Sequence, residues 1–581
     1  MTKLILKEII EDIKFEDLPY NWKNFDFYNF SKDKKLYDFQ ITALENALKT
    51  LYLYYEKYYN FLPNENLETN DLRKKKLFQE YQNYNLIQNL DYNYSSEKKH
   101  KFIFDYYPLE NNKISFKHFV NRAGFWMATG SGKTLVIIKI IEFLTELIQK
   151  KEIPAYDILF LTHKENLINQ FKKHIEEYNQ DKSQKILIYN LKEYDKLKKQ
   201  LFNQNSVFYY RADLLSDEGK ENILDFKNYY NDGKWFIILD EAHKGDKEES
   251  KRQHIFSILS KNGFLFNFSA TFDNPQDLIT TCFEFNLSTF IENGFGKKIY
   301  IFEYETKAFK TEFDEKGKFK IILKSLILLT YIKKNLEKIR KENNNLYHNP
   351  LILFLVNSVN EENSDIKLLF EKIKSLCEGN FDQNLLNESK EELINEFKEK
   401  NNYDIPKDEK IKISIKEIEN INLQEILKYV FNSNSFSPIE ISFHPSQKGE
   451  VVFKLKGSDS HFALMKVGNM PEWLQKSLSN FEVNHDFEEI GYFQKINQED
   501  STINILLGSR VFYEGWDSNR PNIILFINIG TQKDAKKFVL QSIGRGLRIE
   551  PIKNQRKRIL KIKQKFENIF EKIKDYVDSL E

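Results

Sequence analysis

Apolar and polar positions along the first half of the chain alternate in blocks that predict helices and strands in turn. Apolar residues recur at helical spacing in YDFQITALENALKTLYLYY, which begins at Tyr37, and in LVIIKIIEFLTELI, which follows Thr134. Continuous apolar runs that end in polar residues predict strands at Asp157 to His163, Trp235 to His243 and Gly263 to Thr271. Such runs suit parallel strands that are covered on both faces. The pattern therefore predicts an α/β unit with a parallel sheet.

The same pattern restarts in the second half of the chain, which predicts a second α/β unit. A long insertion separates its first strand from the next one, and the later part of that insertion predicts a hairpin around Gly457 to Ser460. The predicted elements are a helix around 319–340, strands that begin near Pro350, Thr502 and Asn522, and a helix around 536–547.

These patterns predict a division of the chain into successive parts. The parts are an N-terminal segment (1–36), a first domain (37–298) with an insertion at about 60–117, a second domain (299–550) with an insertion at about 361–500, and a charged C-terminal helix (551–581).

The composition narrows the class of protein. The chain has 581 residues, and its 87 Lys and Arg residues nearly balance its 86 Asp and Glu residues, which leaves a net charge of +1. This balance excludes a uniformly basic polymer-binding protein, so any track for nucleic acid must be local. With 41% hydrophobic and 30% charged residues, the chain can bury large cores, which excludes an intrinsically disordered protein.

Cysteine usage and hydropathy exclude two further classes. Cys282 and Cys377 are far apart, with no second Cys or His at ligand spacing, which excludes a zinc site or a disulfide framework. No uncharged apolar stretch approaches the roughly 18 residues that are needed to span a bilayer. We therefore expect a cytoplasmic protein that has no membrane association.

A glycine-rich loop precedes the long apolar helix of the first half. A phosphate cradle needs backbone N–H groups that point inward, a lysine for the outer phosphates and a hydroxyl for magnesium. The segment Ala-Thr-Gly-Ser-Gly-Lys-Thr supplies all three, although Met127 stands where the strict P-loop pattern has another glycine. The predicted nucleotide-binding residues are Gly130, Ser131, Gly132, Lys133 and Thr134.

An acidic pair follows the apolar strand that begins at Trp235. A nucleotide hydrolase needs an acidic residue at a strand end to hold hydrated magnesium, and a carboxylate that orients the attacking water. Asp240 and Glu241 come directly after five apolar residues, downstream of the glycine-rich loop. We therefore predict that Lys133, Asp240 and Glu241 are catalytic, and that Thr134 and Asp240 hold Mg2+.

At this point the chain resembles the superfamily 2 helicases and translocases, from about Tyr37 to Glu550. The resemblance implies two tandem RecA-like domains and ATP as the nucleotide, with Gln40 in YDFQITA recognising adenine. It also implies that residues near the ends of the predicted strands contact the nucleic-acid backbone or couple hydrolysis to movement. The backbone contacts fall on Thr162, His163 and Lys164, and the coupling falls on His243, Ser269, Ala270 and Thr271.

In the second half, the segments EGWDSNRPN and QSIGRGLRIEP look like the fifth and sixth motifs of this family. An arginine finger stabilises charge on the transferring phosphoryl group, and Arg545 and Arg548 are the candidates for it. The other implied assignments are Gly515, Asp517 and Gln541 on the nucleotide side, and Ser509 and Arg510 as backbone contacts.

These two segments, together with FWMATGSGKT and LDEAH, are most similar to the restriction (R, Res) subunits of type III restriction systems. The resemblance implies a DEAH-type ATPase that moves along DNA or unwinds it, with double-stranded DNA as the expected substrate. Its implied partner is a methyltransferase (modification) or nuclease subunit of a restriction or phage-defence system. No nuclease site is found, and the residues after Arg548 are typical of a charged amphipathic helix. We expect a motor-only relative, or a shortened or split product of a longer gene.

Two other functions stay open. One is a stand-alone DNA or RNA helicase of repair or RNA metabolism, and the other is a non-catalytic scaffold that has kept the fold. The apolar Gly-Leu pair between the arginines of the sixth motif, together with Trp516 in the fifth, favours a restriction motor over an RNA helicase. The presence of Lys133, Asp240, Glu241 and Arg548 disfavours the scaffold.

Overall fold

The structure of the protein is a computed structural model with side chains. The chain separates into two compact units, Met1–Leu287 and Ser288–Glu581. The structure describes residues 3–84, 90–93, 98–198, 206–219, 223–241, 249–272, 274–302, 315–356, 365–443, 450–466, 483–485, 491–508, 518–527, 533–565 and 567–581.

The described part of the first unit contains a parallel sheet of seven strands, in the order β11-β3-β10-β9-β4-β6-β5, and two small two-stranded ladders, β1-β2 and β7-β8. In the large sheet β9 and β10 are buried along their whole length, as expected for strands covered on both faces. The strands are β1 (Tyr92–Asn93), β2 (Lys113–Ile114), β3 (Arg122–Met127), β4 (Asp157–Thr162), β5 (Leu187–Asn190), β6 (Ser206–Arg211), β7 (Leu215–Ser216), β8 (Leu224–Asp225), β9 (Trp235–Asp240), β10 (Phe264–Ser269) and β11 (Thr281–Phe285).

The helices of the first unit include the two that the apolar spacing predicts, and a further helix in the polar segment 60–117. That segment holds α4, which carries little apolar surface of its own and was not predicted as a helix. The N-terminal segment packs onto α5 and the residues that follow it: Phe27 contacts Phe143 on α5, and Trp22 donates to Glu152 beyond its end at 2.9 Å. The helices are α1 (Ile5–Glu11), α2 (Tyr20–Lys23), α3 (Asp38–Tyr52), α4 (Glu68–Asn83), α5 (Lys133–Gln149), α6 (Glu165–Asn179), α7 (Tyr194–Lys198), α8 (Glu249–Leu259) and α9 (Pro275–Ile279), and α10 (Leu287–Glu292) leads into the second unit.

The second unit also has a seven-stranded sheet among its described residues, in the order β16-β13-β14-β15-β17-β12-β18. This sheet is mixed: β12 pairs in parallel with β17 and β18, whereas β14 is antiparallel to β13 and β15. The strands are β12 (Leu351–Val356), β13 (Ile439–Phe443), β14 (Glu450–Leu455), β15 (Ala463–Lys466), β16 (Val483–His485), β17 (Ile505–Gly508) and β18 (Pro521–Ile527).

The α/β class predicted for both halves is confirmed, and the insertion adds antiparallel strands to the sheet of the second unit. The hairpin predicted around 457–460 is present as β14 and β15, and β15 then pairs in parallel with β17. The insertion therefore extends the sheet of the second unit, because the unpaired edge of β17 offers backbone groups that a further strand satisfies.

The second unit is organised around one long helix, α11, which contacts α13, α15 and α17 as well as the sheet. Among the described residues of the chain, no helix combines the length and the apolar character that a bilayer crossing requires. The helices are α11 (Glu315–Glu342), α12 (Asp365–Cys377), α13 (Asn384–Glu399), α14 (Ile415–Glu419), α15 (Leu423–Phe431), α16 (Lys533–Gly546) and α17 (Glu567–Val577).

The charged C-terminal helix is shorter than the amphipathic pattern predicts, since α17 is the only α-helix among the described residues of 551–565 and 567–581. Arg558 is buried upstream of it, donates to the Ile291 carbonyl at 3.0 Å and lies 3.4 Å from Glu409. The residues between Arg558 and α17 form short turns, Ile559–Lys561 and Lys563–Lys565, so tertiary contacts override the local helical pattern.

Candidate active site

The glycine-rich loop connects the end of β3 at Met127 to α5, which begins at Lys133. Gly130 and Gly132 have φ angles of +85° and +77°, in the left-handed region that favours glycine. The first N–H groups of a helix have no acceptor within the helix, so the loop and the start of α5 together form an anion cradle. The hydroxyl of Ser131 is buried there and has no hydrogen-bond partner in the described part of the chain.

Gln40, near the start of α3, holds this loop from the side. Its Oε1 accepts from the Tyr37 N–H at 2.9 Å, and its Nε2 donates to the Ser131 carbonyl at 2.9 Å. A Cβ atom at Gly132 would require the end of the Gln40 side chain to shift, and the φ of +77° strains any other residue at this position. Gln40 thus lies at the glycine-rich loop, and its recognition of adenine stays a prediction.

The acidic pair lies beside the loop because of the strand order. Strand β10 pairs with both β3 and β9, so the carboxyl ends of these parallel strands are neighbours. Lys133 Nζ lies 3.0 Å from Glu241 Oε1 and 3.3 Å from the Met127 carbonyl oxygen. Glu241 has a φ of +49°, and backbone strain of this kind in a non-glycine residue is common at functional sites. The predicted catalytic residues Lys133, Asp240 and Glu241 are therefore brought together.

The segment Ser269 to Thr271 at the end of β10 is tied to the same carboxylate. The Ala270 N–H donates to Glu241 Oε1 at 2.9 Å. The Ser269 hydroxyl accepts from the Thr271 N–H at 2.9 Å and donates to the Thr271 carbonyl at 3.1 Å, which closes a tight turn. Among the predicted coupling residues in this segment, Ala270 therefore contacts the predicted catalytic residue Glu241 directly.

Sequence reasoning missed Trp126, which lies on β3 just before the loop. Its indole Nε1 donates to the Ala270 carbonyl at 3.0 Å, and the side chain is half-buried. The signal was present in FWMATGSGKT, because an indole N–H within an apolar strand needs an acceptor. The identity of that acceptor depended on the order of the strands.

The residues at the end of β4 differ in exposure. Thr162 pairs in register with Asp240, and its side chain is fully buried with no hydrogen-bond partner for Oγ1 among the described residues. His163 and Lys164 are half-buried. The predicted contact of this segment with nucleic acid stays a prediction, for which His163 and Lys164 offer the accessible side chains.

The electrostatics of Asp240 suit a bound cation. Burial raises the pKa of Asp240 to about 7, Lys133 opposes this rise and Glu241 adds to it. The Oδ1 atom of Asp240 is buried and has no hydrogen-bond partner in the described part of the chain. Buried polar atoms without partners need a ligand or water. Because magnesium is usually held by one or two carboxylates with phosphate and water oxygens, Asp240 and Thr134 fit a nucleotide-bound Mg2+.

In the second unit, Gln541 and Arg545 lie four residues apart on α16 and so share one face of the helix. Arg548 follows the helix and forms a backbone bridge with Gly296. Burial and the nearby charge of Arg556 lower the pKa of Arg548 to about 9, so it stays charged at neutral pH. Five of the predicted site residues lie outside the described residues: His243, Ser509, Arg510, Gly515 and Asp517.

Residues 33–274 match the protein family described as the res subunit of type III restriction enzymes. No curated protein gives a significant match to the chain. The matched segment contains Gln40, the glycine-rich loop, Asp240 with Glu241, and the turn at Ala270. The predicted resemblance to a Res-like motor region is thus confirmed over this segment, and it supports a helicase-like, ATP-hydrolysing motor.

Proposed function

We propose that the chain is an ATP-dependent motor that moves along double-stranded DNA, and that it serves as the Res subunit, or as a motor-only relative of it, in a type III-like restriction or phage-defence system. The observation that carries the proposal is the convergence of Lys133, Asp240 and Glu241 at adjacent strand ends, within the segment that matches the Res family. A methyltransferase or nuclease subunit is the proposed partner.

The proposed roles follow from the contacts. Lys133 leaves Glu241 and binds the outer phosphates of ATP, while the loop N–H groups bind the remaining phosphate oxygens. Asp240 and Thr134 hold Mg2+, which neutralises phosphate charge when bound. Glu241, released from Lys133, orients the attacking water. Arg545 and Arg548 are the proposed arginine fingers.

The first test is ATP hydrolysis by the purified chain alone, with linear duplex DNA, with single-stranded DNA and with RNA. K133A is the negative control, because it removes the cation at the outer phosphates. Its matched control is K150A, which removes a lysine paired with Glu146 at the other end of the same helix. We expect duplex DNA to stimulate the wild type and K150A, and K133A to stay inactive.

Movement along DNA is tested separately, by displacement of a triplex-forming oligonucleotide placed at a distance from a free duplex end. We expect ATP-dependent displacement without separation of the duplex strands. Stimulation by RNA alone would instead assign the chain to RNA remodelling. Strand separation without triplex displacement on intact duplex would assign it to the stand-alone DNA helicases.

The partnership is tested by purifying the chain together with a methyltransferase encoded beside its gene. If the proposal holds, the complex hydrolyses ATP faster on DNA that carries the methyltransferase recognition site than on DNA that lacks it. Equal rates on both DNAs would contradict a restriction-type partner while leaving the motor activity in place.

A further inference from the structure

Trp126 is placed where it links two of the loops that form the candidate site. It lies on β3 directly before Met127, and in the parallel pairing of β3 with β10 it is opposite Ser269. Its indole Nε1 donates to the Ala270 carbonyl oxygen at 3.0 Å, and its ring makes an edge contact with Phe272. The same side chain therefore contacts the turn that follows β10 through one hydrogen bond and one aromatic contact.

The backbone of Ala270 is held at both of its polar groups. Trp126 binds its carbonyl oxygen, and Glu241 Oε1 accepts from its N–H at 2.9 Å. That oxygen of Glu241 also lies 3.0 Å from Lys133 Nζ. A chain of contacts thus runs from Trp126 through Ala270 to the carboxylate of Glu241.

We propose that Trp126 is a positioning residue for ATP hydrolysis, a role that rests on the proposed function. By fixing the Ala270 carbonyl, it keeps the Ala270 N–H directed at Glu241, and Glu241 stays in place when Lys133 leaves it for phosphate. The indole suits this role because its N–H can donate but cannot accept, so Trp126 can bind the carbonyl oxygen of Ala270 but not its N–H. A ring with two side-chain torsions also loses little freedom when it is fixed in place.

The proposal predicts that replacing Trp126 lowers kcat but leaves the KM for ATP nearly unchanged. Trp126 touches neither the glycine-rich loop cradle nor Asp240 through a polar contact in the described residues, so ATP binding should not depend on it. Loss of one neutral hydrogen bond that acts on the catalytic carboxylate should lower kcat by about three- to tenfold. The KM for ATP should change by less than about twofold, since ground-state binding is retained.

The test compares W126F, which keeps an aromatic ring but removes the N–H, with W235F. Trp235 is the matched control: it lies in the same sheet, and its indole donates to the Tyr229 carbonyl at 2.8 Å, at the start of β9 and away from the loops. We expect W235F to lower the unfolding temperature without lowering kcat per folded molecule. W126M, a variant of different shape, is the second variant in case W126F folds poorly.

A double-mutant cycle with Glu241 separates positioning from general packing. If Trp126 acts through Glu241, W126F lowers kcat in the wild-type background and has no further effect on the residual rate of E241Q. The same fold loss in both backgrounds, or an unchanged kcat in W126F and W126M, overturns the inference while the motor function stands. A wild-type protein that hydrolyses no ATP under any polymer condition overturns the inference and the proposed function together.

Discussion

Lys133 Nζ lies 3.0 Å from Glu241 Oε1, so the cation proposed for phosphate and the carboxylate proposed for water are bound to each other. Their side chains are 11% and 18% exposed, which means that solvent screens the pair less than an ion pair at the surface. Under the proposed function, ATP must compete with Glu241 for Lys133. The Glu241 carboxylate therefore opposes ATP binding, although the proposed hydrolysis step requires it.

Replacing Glu241 by Gln should separate the effect of this carboxylate on ATP binding from its effect on hydrolysis. E241Q removes the charge that holds Lys133, so we expect ATP to bind about twofold to tenfold more tightly, while hydrolysis falls by at least about 100-fold because an amide is a poor base for water. Titration with a fluorescent ATP analogue and single-turnover hydrolysis measure the two effects. The control is E146Q, which breaks the pair with Lys150 at the far end of α5. Weaker ATP binding by E241Q would contradict the competition.

Asp240 should make the metal-free protein sensitive to pH. Its pKa is 3.8 in a model peptide and about 7 in the folded protein, where burial is the main cause. A carboxyl group whose folded pKa is raised is ionised at a cost in the native state, so the contribution of Asp240 to the stability of the metal-free protein falls as pH rises from about 4 to about 7. Above that window the full penalty is present.

D240N removes this penalty and keeps the shape of the side chain. In EDTA, we expect D240N to unfold at a higher temperature than the wild type at pH 8, and at nearly the same temperature at pH 4 to 4.5, where Asp240 is protonated in the native state. Differential scanning calorimetry at both pH values measures the difference between the two proteins, which cancels the titration of other groups. The same variant should lose Mg2+-dependent hydrolysis. An equal difference in unfolding temperature between D240N and the wild type at both pH values would show that the charge of the carboxyl group does not cause the difference.

Gly132 is a second point where the local structure permits a specific prediction. G132A strains a backbone at φ +77° and pushes against Gln40, whose Nε2 binds the Ser131 carbonyl. We expect ATP to bind about tenfold more weakly, because the loop moves, whereas kcat at saturating ATP changes less. The control is G457A in the β14–β15 hairpin, where φ is +87° but no atom lies within 4 Å of the added Cβ. Isothermal titration with a non-hydrolysable ATP analogue compares the affinities of the variants for nucleotide. An unchanged affinity in G132A would show that the contact between Gln40 and the loop does not control ATP binding.

The sequence was sufficient to predict where the candidate catalytic side chains lie, because strand ends and the glycine-rich loop are local patterns. The apolar run before Asp240 and the loop before Lys133 each define a strand end, and parallel strands bring such ends to one edge. The pairing of Lys133 with Glu241, and of Trp126 with Ala270, required knowledge that β10 lies between β3 and β9. That order depends on long-range packing and cannot be obtained from chain order.

In the second unit, too, local sequence patterns predict local structure but not the pairing of distant segments. The residues around Gly457 predict a hairpin through their turn chemistry, yet their pairing with β17 reflects an edge that is distant in the sequence. The C-terminal helix was predicted too long because the amphipathic pattern does not reveal that Arg558 is buried against Ile291 and Glu409. Periodicity thus indicates local structure, and buried polar contacts decide where it ends.

Under the proposed function, Arg548 tests whether the second unit takes part in hydrolysis. Its pKa is lowered to about 9, so the guanidinium carries its charge at pH 7 to 8. We expect R548A to bind ATP normally and to hydrolyse it at least about 100-fold more slowly, because an arginine finger acts on charge that develops only in the transition state. The control is K572A, which removes an exposed lysine of the same unit that pairs with Glu342. Equilibrium binding of ATP and single-turnover rates with duplex DNA distinguish the two steps. Loss of ATP binding with normal turnover of the bound fraction would assign Arg548 to nucleotide affinity. An equal slowing in K572A would show that the loss of any positive charge in this unit has the same effect.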